Sequence, residues 1–193
     1  ADRYDELSRK TNKTSKEFEV YHTLNSIDAI EKAFKDGGKA VLTQNIELTK
    51  TMTLAKDAKL EIDLNGYELK ISNPEKSSAR LIKNNGNLTI KNGQLVNEKI
   101  YSYGIVDNYG TILVENVKVQ DNGSYDGSAI KNRNGKVTVK DTEFTIISST
   151  GYKTDDANKN IKFGNTSVYS DGELVIDNVK ITTDSERAYA LLV

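Results

Sequence analysis

The chain has 193 residues, a length suited to one domain or one domain plus an arm; it is 36% hydrophobic and 28% charged, with net charge -1. The absence of cysteine excludes a disulfide scaffold, a thiolate zinc site and a cysteine nucleophile, and the single histidine, His22, excludes a multi-histidine metal site and argues against serine–histidine catalysis. Near-neutral charge supplies no global field for nucleic acid, and no apolar run reaches the length of a membrane span, so neither nucleic-acid binding nor membrane insertion is expected.

Residues 1–22 read as a polar N-terminal arm, whose first sixteen residues offer only Tyr4 and Leu7 as apolar anchors. Such a segment suits docking or self-association. A short strand is expected through Phe18 and Val20, with His22 at or near the surface. A helix is expected over 26–36. Asn25 or Ser26 can cap it, Asp28 favours its positive end, Ile27, Ile30, Ala33 and Phe34 fall at helical spacing, and Gly37-Gly38 stop it. A ten-residue helix with one apolar face must lie on something.

Beyond Gly38 the pattern changes to short β runs. Gly86-Asn-Leu-Thr-Ile-Lys-Asn92, Gly110-Thr-Ile-Leu-Val-Glu-Asn116, Gly135-Lys-Val-Thr-Val-Lys-Asp141 and Gly172-Glu-Leu-Val-Ile-Asp-Asn178 obey one rule. The rule is glycine, any, apolar, any, apolar, charge, Asn/Asp. Lys59-Leu-Glu-Ile-Asp-Leu-Asn65 is a looser first copy, and the glycine spacings are 24, 25 and 37 residues. Each period holds two further apolar runs, one before the glycine and one after the amide. Three short strands per period without pairing turns describe a coil that stacks on the next.

On these residues, roughly 39–193 of the chain resemble the right-handed parallel β-helix, or pectate-lyase-like, superfamily. The resemblance implies an all-β fold: a right-handed parallel β-helix of about five to six coils with an N-terminal capping α-helix. The domain would span 23–193, with the helix over the open end and coils from 39. The resemblance also implies a structural asparagine ladder at Asn92, Asn116, Asp141 and Asn178, with Asp141 interrupting it. Ala188–Val193 reads as the first strand of another coil, so the coils are expected to be cut short at the C-terminus.

A charge column supports this register independently. Asp63, Lys91, Glu115, Lys140 and Asp177 alternate in sign from copy to copy. Stacked about 4.8 Å apart, opposite charges attract and like charges cost. Lys83, Asp107 and Lys131 hint at a second column, although alignment on the glycines shifts Lys131 by one residue.

Enzymes of the superfamily gather carboxylates on one outer face, and lyases add calcium and a base. Here Asp63, Glu115 and Asp177 alternate with lysines, and no lyase or esterase motif can be mapped. Asp121-Asn-Gly-Ser-Tyr-Asp-Gly127 looks like a calcium loop but lacks the glutamate at the twelfth position. No catalytic residue, metal or cofactor is expected. Tyr101, Tyr103, Tyr125 and Tyr152 fall in the connections between one coil and the next, where an apolar plate with a polar tip suits glycan or protein contact. The expected function is a non-enzymatic structural and interaction module. It resembles phage virion fibre or head/tail appendage parts and Gram-positive surface adhesins, placed in a virion or at a cell surface. A host-surface glycan or protein would bind the loop edge and insertion 148–165; a capsid or tail protein would take residues 1–22. The start at Ala1 without an apolar leader tilts the reading towards the virion, where such coils are often homotrimers; adhesin modules use the same coil as monomers. The competing class is a polysaccharide lyase or glycoside hydrolase of the same fold.

Overall fold

The computed structural model describes residues 20–71, 80–98, 102–123, 127–150, 161–186 and 189–193. Tyr101, Tyr125, Tyr152 and the first nineteen residues of the expected arm lie outside the described residues.

The described chain is mostly strand with one helix. It runs β1 (Tyr21–Leu24), α1 (Ile27–Asp36), β2 (Gly38–Leu42), β3 (Ile46–Leu48), β4 (Met52–Leu54), β5 (Lys59–Asp63) and β6 (Glu68–Ile71). It continues with β7 (Ile82–Asn84), β8 (Asn87–Asn97), β9 (Val106–Asn108), β10 (Thr111–Asp121), β11 (Ser128–Asn132) and β12 (Lys136–Ile146). The last elements are β13 (Ser149–Thr150), β14 (Lys162–Phe163), β15 (Thr166–Ser170), β16 (Glu173–Thr183) and β17 (Leu191–Leu192).

Strands from successive repeats pair in parallel. A nine-stranded sheet follows the order β1-β2-β5-β8-β10-β12-β16, with β3 and β6 beside it; a six-stranded sheet follows β17-β15-β11-β9-β7-β4. Each period from β7 onward thus gives one short strand to the second sheet and one eleven-residue strand to the first. The second and third apolar runs of a period, expected as separate strands, merge into one bent strand. The bend falls on the amide position: Asn92, Asn116, Asp141 and Asn178 all have positive φ, between 47° and 62°. Asn and Asp tolerate that region better than other side-chain-bearing residues, so the chain turns without ending the strand.

Parallel pairing without slip puts like side chains over like. Leu60, Leu88, Ile112, Val137 and Leu174 form one column, and Met52, Ile82, Val106, Ile130, Val168 and Leu191 another. Side chains from both sheets belong to one contiguous apolar core. Burial weakens at β16, where Leu174 and Ile181 are half-buried and Ile176 is 37% exposed, because no further described strand lies on that edge.

At the other end lies α1. Ser26 Oγ accepts from Ala29 N at 3.1 Å, and Gly37, at φ 71°, closes the helix by donating to Ala33 O. Ile30, Ala33 and Phe34 are buried in the core. Burial of each large side chain is worth about 1.5–3 kcal/mol. His22 Nε2 lies 3.0 Å from Gly37 O, which ties the first strand to the helix end. The longer third glycine interval also has a cause. The chain leaves and returns through the antiparallel pair β13–β14, and Ser148 N and Oγ both donate to Asp184.

Candidate functional site

The bends line up along the stack and floor an open groove of about 630 Å³. Asn92, Asn116, Asp141 and Asn178 form the floor, and Gln94, Lys118, Glu143 and Lys180, Cα partners in successive strands, form one side. The floor amides are joined: Asn116 Nδ2 donates to Asn92 Oδ1 at 3.0 Å, Asn92 Nδ2 to Asp63 Oδ1 at 3.3 Å, and Asn178 Nδ2 to Asp141 Oδ1 at 2.7 Å. Among the described residues no bond joins Asn116 to Asp141. Asn116 gives its side-chain amino group to Asn92 instead.

Asp63, Lys91, Glu115, Lys140 and Asp177 are Cα partners in that order. The ion pairing is nevertheless diagonal at its first rung. Lys91 Nζ lies 2.6 Å from Glu61, which holds the ammonium above its ordinary pKa, while Asp63 accepts from Asn92 and from Asn65 N. Asp63 thus terminates the amide row, and its charge supports the Lys91 ammonium only as a lesser influence behind Glu61. On the groove side, Lys180 Nζ and Glu143 stand 3.4 Å apart.

A second amide row lies inside and was missed in the sequence. Asn84 Nδ2 donates to Asn108 Oδ1 at 2.7 Å, Asn108 Nδ2 to Asn132 Oδ1 at 2.9 Å, and Asn132 Nδ2 to Ser170 Oγ at 2.9 Å. All three asparagines are fully buried. They close the sharp turn between the sheets, where the same Nδ2 groups also reach Gly86 O, Gly110 O and Gly135 O. The signal was present: Asn84, Asn108, Asn132 and Ser170 each stand two or three residues before the glycine that starts the repeat rule. The two rows donate in opposite directions along the stack.

A third polar cluster surrounds Asp121, which is 0% exposed. Its carboxylate accepts from Asn97 Nδ2 at 2.7 Å, Gly123 N at 2.8 Å and Asn165 Nδ2 at 3.0 Å. Burial is the main influence on its acidity and pushes the carboxyl above its usual range, against these donors and the charge of Arg80. The false calcium loop therefore begins with a carboxylate consumed by the protein's own amides. Arg80, 6% exposed, donates through Nη1 to Ser128 O at 2.6 Å, with Nε 3.5 Å from Asp107.

Tyr103 is half-buried, and its carbonyl accepts from Ser128 N; it stands at the edge where the expected tyrosine cluster begins. Among the described residues, every buried side-chain nitrogen and oxygen has a hydrogen-bond partner, and no group of three His, Asp or Glu is placed to hold a metal ion. No helix is long and apolar enough to cross a membrane. Comparison with protein-family models, curated proteins and solved structures gave no match.

Proposed function

We propose that the stacked repeats form a right-handed parallel β-helix, pectate-lyase-like in type, capped by α1, and that the chain is a non-enzymatic structural and interaction module. It would serve as a stiff spacer of a phage fibre, an appendage or a Gram-positive surface adhesin. Its groove and its tyrosine edge, Tyr103 with Tyr101, Tyr125 and Tyr152, would meet a host-surface glycan or protein. The observation that carries this reading is the pair of amide rows along the stack, the inner one unbroken from Asn84 to Ser170 and the outer one broken only between Asn116 and Asp141. Side chains that could do chemistry are instead bonded from one repeat to the next, which favours rigidity over turnover.

One observation favours the enzymatic alternative: Asp141 and Glu143 both line the groove. Glycoside hydrolysis needs a proton donor and a base or nucleophile that face one another. Here Asp141 accepts from Asn178 and Glu143 is paired with Lys180, so both carboxylates are engaged. A glycan array, followed by assay of bound sugars for chain cleavage, separates the readings. The module reading expects retention of intact glycan, weakened by Tyr103→Ala with Tyr125→Ala. Cleavage that disappears in Asp141→Asn would establish the enzyme. Light scattering with and without residues 1–16 tests the arm: a trimer that falls apart on removal assigns assembly to it.

A further inference from the structure

The outer face of the six-stranded sheet carries a feature that the groove reading does not use. Lys83, Asp107, Lys131 and Tyr169 are successive Cα partners there. Tyr109 and Arg133 stand just past the ends of their strands, with Arg133 N donating to Asn108 O. Lys83 Nζ lies 5.2 Å and the Arg133 guanidinium 5.8 Å from the Tyr109 ring centre, and Lys131 Nζ lies 4.8 Å from that of Tyr169. Asp107 is shared by Arg133 Nε at 2.8 Å and Arg80 Nε at 3.5 Å, and Asp171 accepts from Tyr169 Oη. Among the described residues neither Lys83 nor Lys131 has a carboxylate partner.

We propose that this face binds an acidic polysaccharide, a chain bearing sulfate or carboxylate groups, with Lys83 and Lys131 as its two anion contacts and Arg133 beside them. Three cations, Lys83, Lys131 and Arg133, stand on this face against Asp107 and Asp171, and the buried Arg80 also pairs with Asp107, a local positive excess on a chain whose net charge is -1. Lys83 and Lys131 flank Asp107, so they are two strand spacings apart, about 9.5 Å, a separation matched by an acidic group on alternate sugars of an extended chain. Burial lowers the pKa of Lys131, and Arg133 and Arg80 push the same way, so an incoming anion relieves repulsion already present. Cations lie against both tyrosine rings. That leaves little free ring face for stacking bases and favours a polysaccharide over single-stranded nucleic acid.

Titration calorimetry with dextran sulfate, hyaluronate and uncharged dextran tests this. Binding to either acidic polymer, with none to dextran, is expected, and its affinity should fall steeply with salt. The two acidic polymers distinguish sulfate from carboxylate as the recognised group. Lys83→Gln with Lys131→Gln, which leaves the Asp107 pairs intact, should lower the affinity at least tenfold while circular dichroism shows the fold retained. Asn116→Ala, in the groove, should leave it unchanged, so failure of this site and failure of the groove reading are distinguishable. Equal affinity for dextran, unaltered affinity in the double variant, or equally tight single-stranded DNA would overturn the proposal.

Discussion

Asn165 Nδ2 donates to Asp121 Oδ2 at 3.0 Å across 44 residues of sequence, joining the residue before β15 to the end of β10 inside the protein. The bond works only with a carboxylate. Asn165 also accepts from Gly127 N through Oδ1, so its amide cannot flip without losing that donor. Asp121→Asn would place one amino group against another and is expected to destabilise by about 1–3 kcal/mol. The acid response carries a separate signature. The folded carboxyl lies above its unfolded value, so between the two the native chain holds more protons, and this group's contribution falls as pH rises through that window. Urea titrations from about pH 4 upward, compared with those of the variant, should show that decline in the difference. A difference independent of pH would mean that Asp121 is charged in both states.

The inner amide row predicts a graded series. Asn108 accepts from Asn84 and donates to Asn132 and Gly110 O, all in a site without water access. Asn108→Ala leaves buried groups unpaired, at about 1–3 kcal/mol for each left unsatisfied. Serine fills the same column at position 170, where it accepts from Asn132 and donates to Gly172 O. Asn108→Ser should therefore recover part of the loss in a thermal melt. Equal losses for alanine and serine would show that volume, not hydrogen bonding, dominates there.

The parts legible in the sequence were those repeated at constant spacing on an alternating pattern. The helix cap at Ser26, the apolar columns and the order Asp63, Lys91, Glu115, Lys140, Asp177 could be aligned because a parallel stack preserves register. Glycine-based alignment displaced Lys131 by one residue. The turn Asn132-Arg-Asn-Gly135 is one residue longer than Asn108-Tyr-Gly110, yet Lys131 remains the Cα partner of Asp107. Asn84, Asn108 and Asn132 escaped notice because a polar residue beside a glycine reads as a turn. Burial of its side chain depends on the sheet that closes over it. Asp121 and Asn165 escaped for another reason: their contact spans the irregular interval, where no period aligns them.

Glu115 lies between Lys91 and Lys140 in strand register. Glu115→Lys sets three cations in one column. The expected cost is about 0.2–1 kcal/mol per like-charge neighbour, diminished by salt. Melting at low and high ionic strength checks this; a loss that salt does not reduce would point to packing instead of charge.

Two glycines separate space from conformation. Gly66 has φ +81° with no atom within 4 Å of where a side chain would begin, whereas a Cβ on Gly135 would stand 2.3 Å from Gly110 O. Gly172 meets Gly135 O in the same way, so the glycines that open the repeat rule rest on one another's carbonyls. Gly66→Ala should cost about 1–2 kcal/mol through its left-handed backbone, and Gly66→Asn less, because Asn visits that region. At Gly135 the obstacle is a neighbouring main chain that cannot rotate away. Alanine and asparagine should both destabilise there, by about 1–3 kcal/mol or more. Chemical denaturation of the four variants measures the contrast. Rescue of position 135 by asparagine would show that the repeats are spaced more loosely than this carbonyl contact requires.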